Sequence, residues 1–411
     1  MSKRSFGKAW CFLTFSAAFI LLLAFISGCK YDVAEPQWDQ PFEQPLKSPS
    51  ISSIEPNAAV PGVNTIKIVG ENLDLIPNNW VYFDIEGVTS LKAEIIEQNS
   101  SSIICRRPNL ITDSCIIKVV PDSGLVVKYG PYEIDQVMEA YGSYVEKSVA
   151  LGALAADNAE NIYVITGANP FPVTKVTPDG QKTVIKDSVA SIATAPTDLL
   201  LGPGGYLYVI RGNRTIERVN PQTGEVSTWH RLSANRQIKF GAFDSEGYLY
   251  TGGNRTDLYT ITPDSTSSAT SLYASSSGDS IFAAHVYNGY LYLAVGTSSG
   301  NLITRHKLNG SGSLGDREVV TDMLQFAGNH INDFAVASDG KIYIALNSIA
   351  PLLVFDLQAN TIDYFYKGIV PPYVKKIAWG NGNYIYIISG NTTPAQDWTV
   401  YRIDMGTTRL K

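Results

Sequence analysis

The feature of this sequence that most limits its possible folds is a repeat that begins near residue 137 and continues to residue 411. A tyrosine within a short apolar segment occurs six times, at spacings of 45, 42, 42, 51 and 43 residues. The repeated tyrosines are Tyr163, Tyr208, Tyr250, Tyr292, Tyr343 and Tyr386. A glycine-containing turn precedes most of them, as at Gly204-Gly205 and Asp339-Gly340. One such unit cannot bury its apolar face alone, so the repeat predicts similar units packed against one another.

Each repeat carries the signals of four β-strands. A segment of small and apolar residues comes first, the tyrosine segment follows the turn, a third apolar segment follows a loop, and the remainder supplies an outer edge. Four-stranded units of roughly 40–50 residues are typical of β-propeller blades. The sequence therefore predicts an all-β fold with a six-bladed β-propeller over residues 136–411.

The two ends of the repeat region complement each other. The last repeat stops soon after its third strand, whereas Val137–Val145 precedes the first repeat and belongs to none. We expect this segment to form the outer strand of the sixth blade. That pairing would close the ring and cover an otherwise unpaired sheet edge.

Short motifs within the blades resemble those of NHL-type propellers. Gly212-Asn213-Arg214-Thr215 and Gly253-Asn254-Arg255-Thr256 are near copies of one another, and Gly390-Asn391-Thr392-Thr393 is a degenerate third. The fourth and fifth blades lack the motif. The resemblance implies that the arginine of each motif bridges neighbouring blades.

Residues 49–135 have a different pattern, with short strands separated by Gly, Asn and Pro clusters. The predicted strands are Ile51–Ile54, Thr65–Val69, Trp80–Phe83, Ala93–Gln98, Ser102–Arg106, Cys115–Val119 and Leu125–Tyr129. Seven short strands in under 90 residues predict an antiparallel sandwich. Several motifs resemble the IPT/TIG immunoglobulin-like domain, and the resemblance implies that fold for this segment. These motifs are Ile54-x-Pro56, Pro61-Gly62, Ile66-x-Ile68-x-Gly70-x-Asn72-Leu73 and Ile104-Cys105-x-x-Pro108.

The N-terminus has the features of a secretory signal over residues 1–28. Basic residues precede an apolar run from Phe12 to Ile26, and Ser27-Gly28-Cys29 follows. The run has 15 residues, fewer than the roughly 20 that a transmembrane helix needs. Its end resembles the lipobox of bacterial lipoproteins, with Ile26 where that family usually has leucine. The resemblance implies cleavage before Cys29 and acylation of its thiol, followed by a proline-rich tether over residues 29–48.

The residues after Cys29 bear on location. Lys30 stands where many inner-membrane lipoproteins have aspartate, and Lys30-Tyr31-Asp32 is similar to a surface-export tag. The resemblance implies an outer-membrane lipoprotein, facing either the cell exterior or the periplasm, with the exterior favoured. Membrane contact would then be through the lipid anchor. The net charge of −6 and the absence of a basic run after residue 10 argue against a nucleic-acid partner.

Two further cysteines remain in the region that would follow the tether. Cys105 and Cys115 flank what the pattern predicts to be a hairpin. In an oxidising compartment, two thiols in this arrangement are expected to form a disulfide. Two cysteines without nearby histidines make a poor metal site.

The sequence contains no recognised catalytic or cofactor-binding motif. Its four histidines are His230, His285, His306 and His330. His330 and Asp333 precede or begin the inner strand of the fifth blade, and Asp198 is similarly placed in the second. Six-bladed lactonases and lyases, which this architecture resembles, gather a metal from such positions. Because no ligand motif is present, we expect no catalytic residues, no metal and no cofactor.

Ligand binding is the more strongly indicated activity. Loops that join outer to inner strands, and second to third strands, should share one face and carry Arg214, Arg236, Lys239 and Arg255. On that face we expect Trp398 to be an aromatic contact, with His330 and Asp333 as polar contacts. The alternative is a site on the rim that includes Trp229 and Tyr366, since aromatic rings with polar neighbours can bind sugar faces.

The order of anchor, tether, immunoglobulin-like spacer and propeller resembles the layout of surface glycan-binding lipoproteins in Gram-negative, glycan-utilising bacteria. The resemblance implies non-catalytic glycan binding beside a polysaccharide uptake system. A protein–protein adaptor at the cell surface is the main alternative, with a surface protein as its partner. A metal-dependent lactonase or lyase is the third.

Overall fold

The computed structural model describes residues 48–74, 80–121, 125–146, 150–189, 194–234, 236–253, 257–272, 279–326, 330–390 and 397–407. The predicted signal segment, Cys29, the tether up to residue 47, and Arg255 lie outside these residues. Residues Pro49–Lys411 form one compact unit. Its described residues are organised into β-strands, without an α-helix. In this part of the chain, no helix has the length and apolar character needed to cross a membrane.

Residues 50–134 form two antiparallel four-stranded sheets. Their strands are β1 (Ser50–Glu55), β2 (Thr65–Glu71), β3 (Trp80–Ile85), β4 (Thr89–Lys92), β5 (Ile95–Gln98), β6 (Ser102–Arg106), β7 (Thr112–Val120) and β8 (Val127–Ile134). The order in one sheet is β1-β2-β6-β5 and in the other β4-β3-β7-β8. The predicted strands are present, and β4 is an additional strand that the sequence pattern did not indicate.

The core of this sandwich follows from alternation along the strands. Ile66 and Ile68 on β2 are fully buried, whereas Lys67 between them is exposed. Val81 and Phe83 on β3 are buried in the same way and belong to the same core. Successive side chains of a strand point to opposite faces, so the alternating pattern fixes which face of each sheet is inside.

The predicted Cys105–Cys115 hairpin is wrong. Cys105 lies on β6, which pairs with β2 and β5, and Cys115 lies on β7, which pairs with β3 and β8. The chain crosses from one sheet to the other between these cysteines, and the structure has both as buried free thiols. Burial raises the pKa of the Cys105 thiol to about 12 and that of the Cys115 thiol to about 11.

Residues 138–404 form six antiparallel four-stranded sheets. The first sheet contains β10 (Leu151–Ala156), β11 (Ile162–Thr166), β12 (Val173–Val176) and β13 (Lys182–Lys186). The second contains β14 (Asp198–Leu201), β15 (Leu207–Ile210), β16 (Thr215–Val219) and β17 (Val226–Arg231). The third contains β18 (Phe240–Phe243), β19 (Leu249–Gly252), β20 (Asp257–Ile261) and β21 (Ser268–Leu272). The fourth contains β22 (Ser280–Tyr287), β23 (Tyr290–Thr297), β24 (Gly300–Leu308) and β25 (Leu314–Asp322). The fifth contains β26 (Ile331–Val336), β27 (Lys341–Leu346), β28 (Leu352–Asp356) and β29 (Thr361–Tyr364). The sixth contains β30 (Val374–Trp379), β31 (Tyr384–Ser389), β32 (Trp398–Asp404) and β9 (Met138–Glu146).

The innermost strands place these sheets around a common axis. Each first strand contacts the first strand of the next sheet, and β30 of the sixth sheet contacts β10 of the first. As the sequence predicts, the segment before the first repeat completes the sixth sheet, because β9 pairs with β32. The first and last parts of the ring are therefore held in one sheet.

The repeated tyrosines lie on the second strand of each sheet and are buried. Several also bind the preceding turn through their hydroxyl groups. Tyr163 donates to Asp157 at 3.0 Å, and Tyr250 donates to Asp244 at 3.0 Å. The repeated tyrosine therefore marks a core position, and in several blades its hydroxyl group also stabilises the preceding turn.

The sandwich contacts the fifth sheet of the ring through a polar interface. Arg106 makes a bidentate ion pair with Asp363, with N–O distances of 3.0 and 2.8 Å. The Asn64 side chain donates to the carbonyl of Tyr364 at 2.8 Å. The amide of Gly62 donates to the hydroxyl of Tyr366 at 2.7 Å. These contacts fix the sandwich against one side of the ring.

Candidate functional site

The inner strands of all six sheets line a central cavity of about 180 Å³. Much of its wall is small or apolar, including Ala155, Ala242, Ala284 and Ala378. Small side chains occur here because the sheets converge on the axis and leave little room. The lining also includes Asp198 and Asp333, two carboxylates on different sheets.

A buried lysine lies between these two carboxylates. The ammonium of Lys376, on the inner strand of the sixth sheet, is 3.0 Å from Asp198 and 3.7 Å from Asp333. Backbone amides also bind both carboxylates. Gly241 donates to the second oxygen of Asp198 at 3.0 Å, while Phe334 and Ile377 donate to the two oxygens of Asp333 at 3.0 and 3.1 Å. The cluster therefore links four of the six inner strands through groups that have protein partners.

The pKa values of the cluster reflect its burial and its charges. Burial raises the pKa of Asp333, Lys376 opposes that change, and the nearby charge of Asp198 adds to it. Desolvation alone would lower the pKa of Lys376, but the two carboxylates outweigh it and raise that pKa. The lysine is therefore held as a cation at neutral pH.

Irregular strand pairing places two members of the cluster. The register between β26 and β27 shifts between Ile331 and Asp333, and that between β30 and β31 shifts between Val374 and Lys376. A bulged residue changes the side to which the following residues point. Lys376 and Asp333 can therefore face a common point although they lie on neighbouring sheets.

A second cavity, of about 630 Å³, lies where two kinds of long loop meet. Asn213 and Arg214 come from the loop between β15 and β16, while Arg236 and Gln237 come from the loop before β18. Gly253, Asp257 and Tyr259 complete the lining. This is the face on which the sequence predicted the ligand-binding loops.

The polar groups of this second cavity, here called the Arg214 pocket, differ in how they are held. Arg236 makes an ion pair with Asp257 at 2.7 Å, and the hydroxyl of Tyr259 donates to the same carboxylate at 3.0 Å. The half-buried Arg214 has no side-chain partner among the described residues. Within the residues that the structure describes, Arg214 does not make the predicted bridge to a neighbouring blade, and its cationic side chain lines the cavity.

Comparison with known proteins gives the architecture but no family. No protein-family profile matches the chain, and no curated protein sequence matches it. In the solved structures, a protein of unknown function from Bacteroides thetaiotaomicron aligns with a TM-score of 0.51 and 14% identity, over 88% of this chain and 99% of its own. An auxiliary nutrient binding protein from the same organism aligns with a TM-score of 0.51 and 12% identity, over 87% of this chain and 99% of its own. A luciferin-regenerating enzyme aligns with a TM-score of 0.54 and 15% identity, over 67% of this chain and 97% of its own.

The chain contains a β-propeller. At these identities the likeness shows the fold alone, and the six-sheet ring is the part that the propeller-type neighbours support. The blades of the propeller are the six sheets described above.

Two of the aromatic residues predicted to contact ligand are buried. Trp398 packs between the sixth and first blades with Tyr386 and Leu151, and Lys375 lies 5.2 Å from its ring. Tyr366 is buried where the sandwich meets the propeller, and its hydroxyl accepts from Gly62. Both predictions are corrected, because core packing takes up rings that the sequence pattern left outside the repeat.

The other predicted contacts are dispersed. Trp229 packs edge-on against Tyr208 of its own blade at 5.1 Å and against Phe243 of the third blade at 6.0 Å, so it belongs to inter-blade packing. Asp333 is in the axial cluster. His330 is exposed and lies 4.1 Å from the ring of Phe282; partial desolvation there lowers its pKa, with a further contribution from the charge of Lys239. The predicted site therefore separates into an axial cluster and the Arg214 pocket, and Arg255 lies outside the described residues.

Two features of the site were missed in the sequence. The consecutive lysines Lys375-Lys376, within an otherwise apolar inner strand, were the signal for the axial cluster. Asp257, which holds Arg236, had no signal beyond its position at the start of a strand. Across the described part of the chain, no group of three or more His, Cys, Asp or Glu residues is arranged to hold a metal ion.

Proposed function

We propose that the chain is a surface-anchored, non-catalytic binding protein and that it binds a glycan in the Arg214 pocket. The observation that carries this proposal is the guanidinium of Arg214, which has no side-chain partner in the described part of the chain and lines a cavity of about 630 Å³. Cavities of roughly 300–1,000 Å³ are typical of small-molecule sites. A glycan end or branch of two or three sugars fits such a space.

The chemistry of the pocket suits a ligand rich in hydroxyl groups. Asn213 and Gln237 bring side-chain amides, Arg214 brings a planar set of N–H donors, and Asp257 brings a carboxylate acceptor. Asp257 and Tyr259 hold Arg236 in place, so part of the donor set is ordered before ligand arrives. Preorganised donors and acceptors reduce the entropy lost on binding.

The axial cavity supports the non-catalytic part of the proposal. A catalytic metal needs carboxylates that are free to coordinate it. Here Asp198 and Asp333 are already bound by Lys376 and by backbone amides. A lactonase or lyase of the metal-dependent type would need these groups to be rearranged.

The proposal also includes the location of the protein and the identity of its domains. We assign residues 49–135 to an IPT/TIG-like spacer and residues 136–411 to a six-bladed, NHL-like propeller, carried on an outer-membrane lipid anchor at Cys29. The structural neighbour named as an auxiliary nutrient binding protein supports a role of this kind through its shared fold.

The anchor is tested by metabolic labelling. Radiolabelled fatty acid should enter the wild-type chain and should not enter a Cys29→Ser variant, because acylation needs the thiol. A Cys11→Ser variant is the control and should keep the label. Equal labelling of the Cys29→Ser chain would remove the lipoprotein assignment.

The pocket is tested with a glycan array followed by titration of the best glycan. Arg214→Ala should weaken binding by about 10–100-fold, since a hydrogen bond to a charged group contributes about 1.5–3 kcal/mol. The control is Arg231→Ala, an exposed arginine of the same blade outside the cavity. Binding that survives Arg214→Ala would place the site elsewhere, and an array without any hit, together with capture of a defined surface protein, would favour the adaptor function.

A further inference from the structure

The outer face of the β4-β3-β7-β8 sheet carries a row of basic and aromatic side chains. Tyr82 on β3 is directly opposite Lys92 on β4 and Lys118 on β7, and Lys118 is directly opposite Lys128 on β8. Residues directly opposite each other in an antiparallel pair lie on the same face. Since Val81 and Phe83 point into the core, these four side chains point outward.

A tryptophan extends this row, here called the Trp80 surface. Trp80 is 44% exposed, whereas Trp379 and Trp398 are buried in the propeller. The ammonium of Lys92 is 3.9 Å from the centre of its ring, and the Trp80 and Tyr82 rings are 6.3 Å apart. A lysine over one side of the indole holds the ring in place and leaves part of it open to solvent.

The charges of the row are only partly balanced. Asp84 pairs with Lys118 at 2.7 Å, and this contact lowers the pKa of the Asp84 carboxyl. Lys92 and Lys128 have no carboxylate partner among the described residues. Like charges directly opposite in a sheet are destabilising, so Lys118 and Lys128 repel each other, and a bound anion would reduce this repulsion.

We propose that the Trp80 surface is a second binding site and that it takes a linear polysaccharide with carboxylate groups, of the uronate class. Sugar rings stack on Trp80 and Tyr82, the carboxylates contact Lys92 and Lys128, and Asp84 accepts from hydroxyl groups. Strands lie about 4.8 Å apart, so the row from Lys92 to Lys128 extends about 14 Å. A flat row of this length suits an extended chain, whereas the Arg214 pocket suits a chain end or branch.

The flatness of the site also distinguishes its occupant from a lipid surface. Binding to headgroups by insertion needs protruding apolar side chains in addition to basic ones. Here the aromatic rings lie on a sheet face, and the Asp84 carboxylate pairs with Lys118 on the same face. The proposal does not depend on the Arg214 pocket, because the two sites are on different parts of the molecule.

The test measures binding of polygalacturonate by the full chain in an Arg214→Ala background, which removes the propeller pocket. The same polymer with its carboxyl groups fully methyl-esterified serves as the uncharged probe. Calorimetric titration should show binding of the acid polymer and about tenfold weaker binding of the ester. Trp80→Ala should weaken both by about tenfold, since one stacked ring contributes on the order of 1–1.5 kcal/mol.

The lysine contribution is separated by a charge variant. Lys128→Gln should weaken only the acid polymer, by about threefold, as expected for an exposed charge contact. Lys67→Gln removes the same charge from the other sheet and should change neither affinity. Thermal melting of each variant should stay close to that of the parent, because Trp80 and Lys128 are exposed.

Three results would overturn the proposal: no binding of polygalacturonate in the Arg214→Ala background, equal binding after Trp80→Ala, or Trp80-dependent binding to phosphatidylglycerol vesicles without binding to the polymer. None of these would bear on the Arg214 pocket. That pocket fails separately, if Arg214→Ala leaves the array-selected glycan bound.

Discussion

Replacing Lys376 by methionine should lower the free energy of unfolding by about 3–5 kcal/mol at neutral pH, because it leaves two buried carboxylates without their cation. Methionine keeps the length and apolar character of the lysine side chain, so little of this loss comes from packing. Lys341→Met is the matched control. Lys341 makes an ion pair with Asp339 that is about one-third exposed on each side, and such pairs contribute about 0–1 kcal/mol.

The stability loss of the Lys376→Met variant should depend on pH, in a direction set by the pKa values of the two carboxyl groups. A carboxyl whose folded pKa lies above its unfolded value destabilises the protein as pH rises through that interval. The pKa of Asp333 is already raised above 3.8 by burial, and loss of Lys376 should raise it further. The deficit of the variant should therefore be small near pH 4 and grow towards neutral pH.

Urea unfolding of both proteins between pH 4 and pH 8 measures this difference. Titration of Lys376 itself adds no pH dependence in this range, because the stabilisation that comes from its raised pKa is lost only as the pH rises above 10.5 towards the folded pKa. Adding Asp198→Asn and Asp333→Asn to the methionine variant should recover part of the loss. A deficit that is the same at every pH would show that Lys376 acts through packing alone.

The axial cluster also shows why the site was only partly predictable. The sequence pattern located Asp198 and Asp333 near the channel, since each directly precedes a predicted inner strand. It did not show that a lysine of the sixth blade joins them. That contact depends on the register shift at Val374/Lys376 and on the closeness of inner strands around the axis. Neither feature has a local signal.

The fold was easier to predict from the sequence than the site, because it follows from the periodicity of the repeat. Six buried tyrosines at similar spacing determine six sheets, and the incomplete last repeat determines which segment must pair with it. The long fourth spacing illustrates the limit of this reasoning. The extra residues between Tyr292 and Tyr343 lie in longer strands, β24 (Gly300–Leu308) and β25 (Leu314–Asp322), although a longer loop would have given the same spacing.

Aromatic residues were the least reliable indicators of the site. Tyr366, Trp398 and Trp229 lie outside the repeat position, yet each packs against neighbouring elements. Trp80 was assigned only to a strand, although it is the exposed tryptophan of the described sandwich. Exposure of a ring depends on which face of a sheet lacks a covering layer, and one strand's sequence does not contain that information.

Removing β9 (Met138–Glu146) should abolish the stable propeller or lower its melting temperature by more than ten degrees. The strand buries Tyr141 and Tyr144, and burying one large apolar side chain contributes about 1.5–3 kcal/mol. Tyr141 packs edge-on against Tyr386 at 4.9 Å and donates to the carbonyl of Glu160 at 2.5 Å. Its contacts thus join the sixth blade to the first.

The measurement compares fragments 136–411 and 147–411 by thermal melting and size-exclusion chromatography. Without β9, the edge of β32 (Trp398–Asp404) is unpaired, and unpaired edges promote aggregation.

A pair of point variants in the full chain distinguishes the effect of ring closure from that of shortening the chain. Tyr141→Ala should cost about 3–5 kcal/mol, as large aromatic-to-alanine changes in cores do. Val145→Ala, on the same strand and 43% exposed, should cost no more than about 0.5 kcal/mol. If the shorter fragment melts with the longer one and Tyr141→Ala behaves like Val145→Ala, the ring is held by the contact between β30 and β10, and the shared sheet adds little.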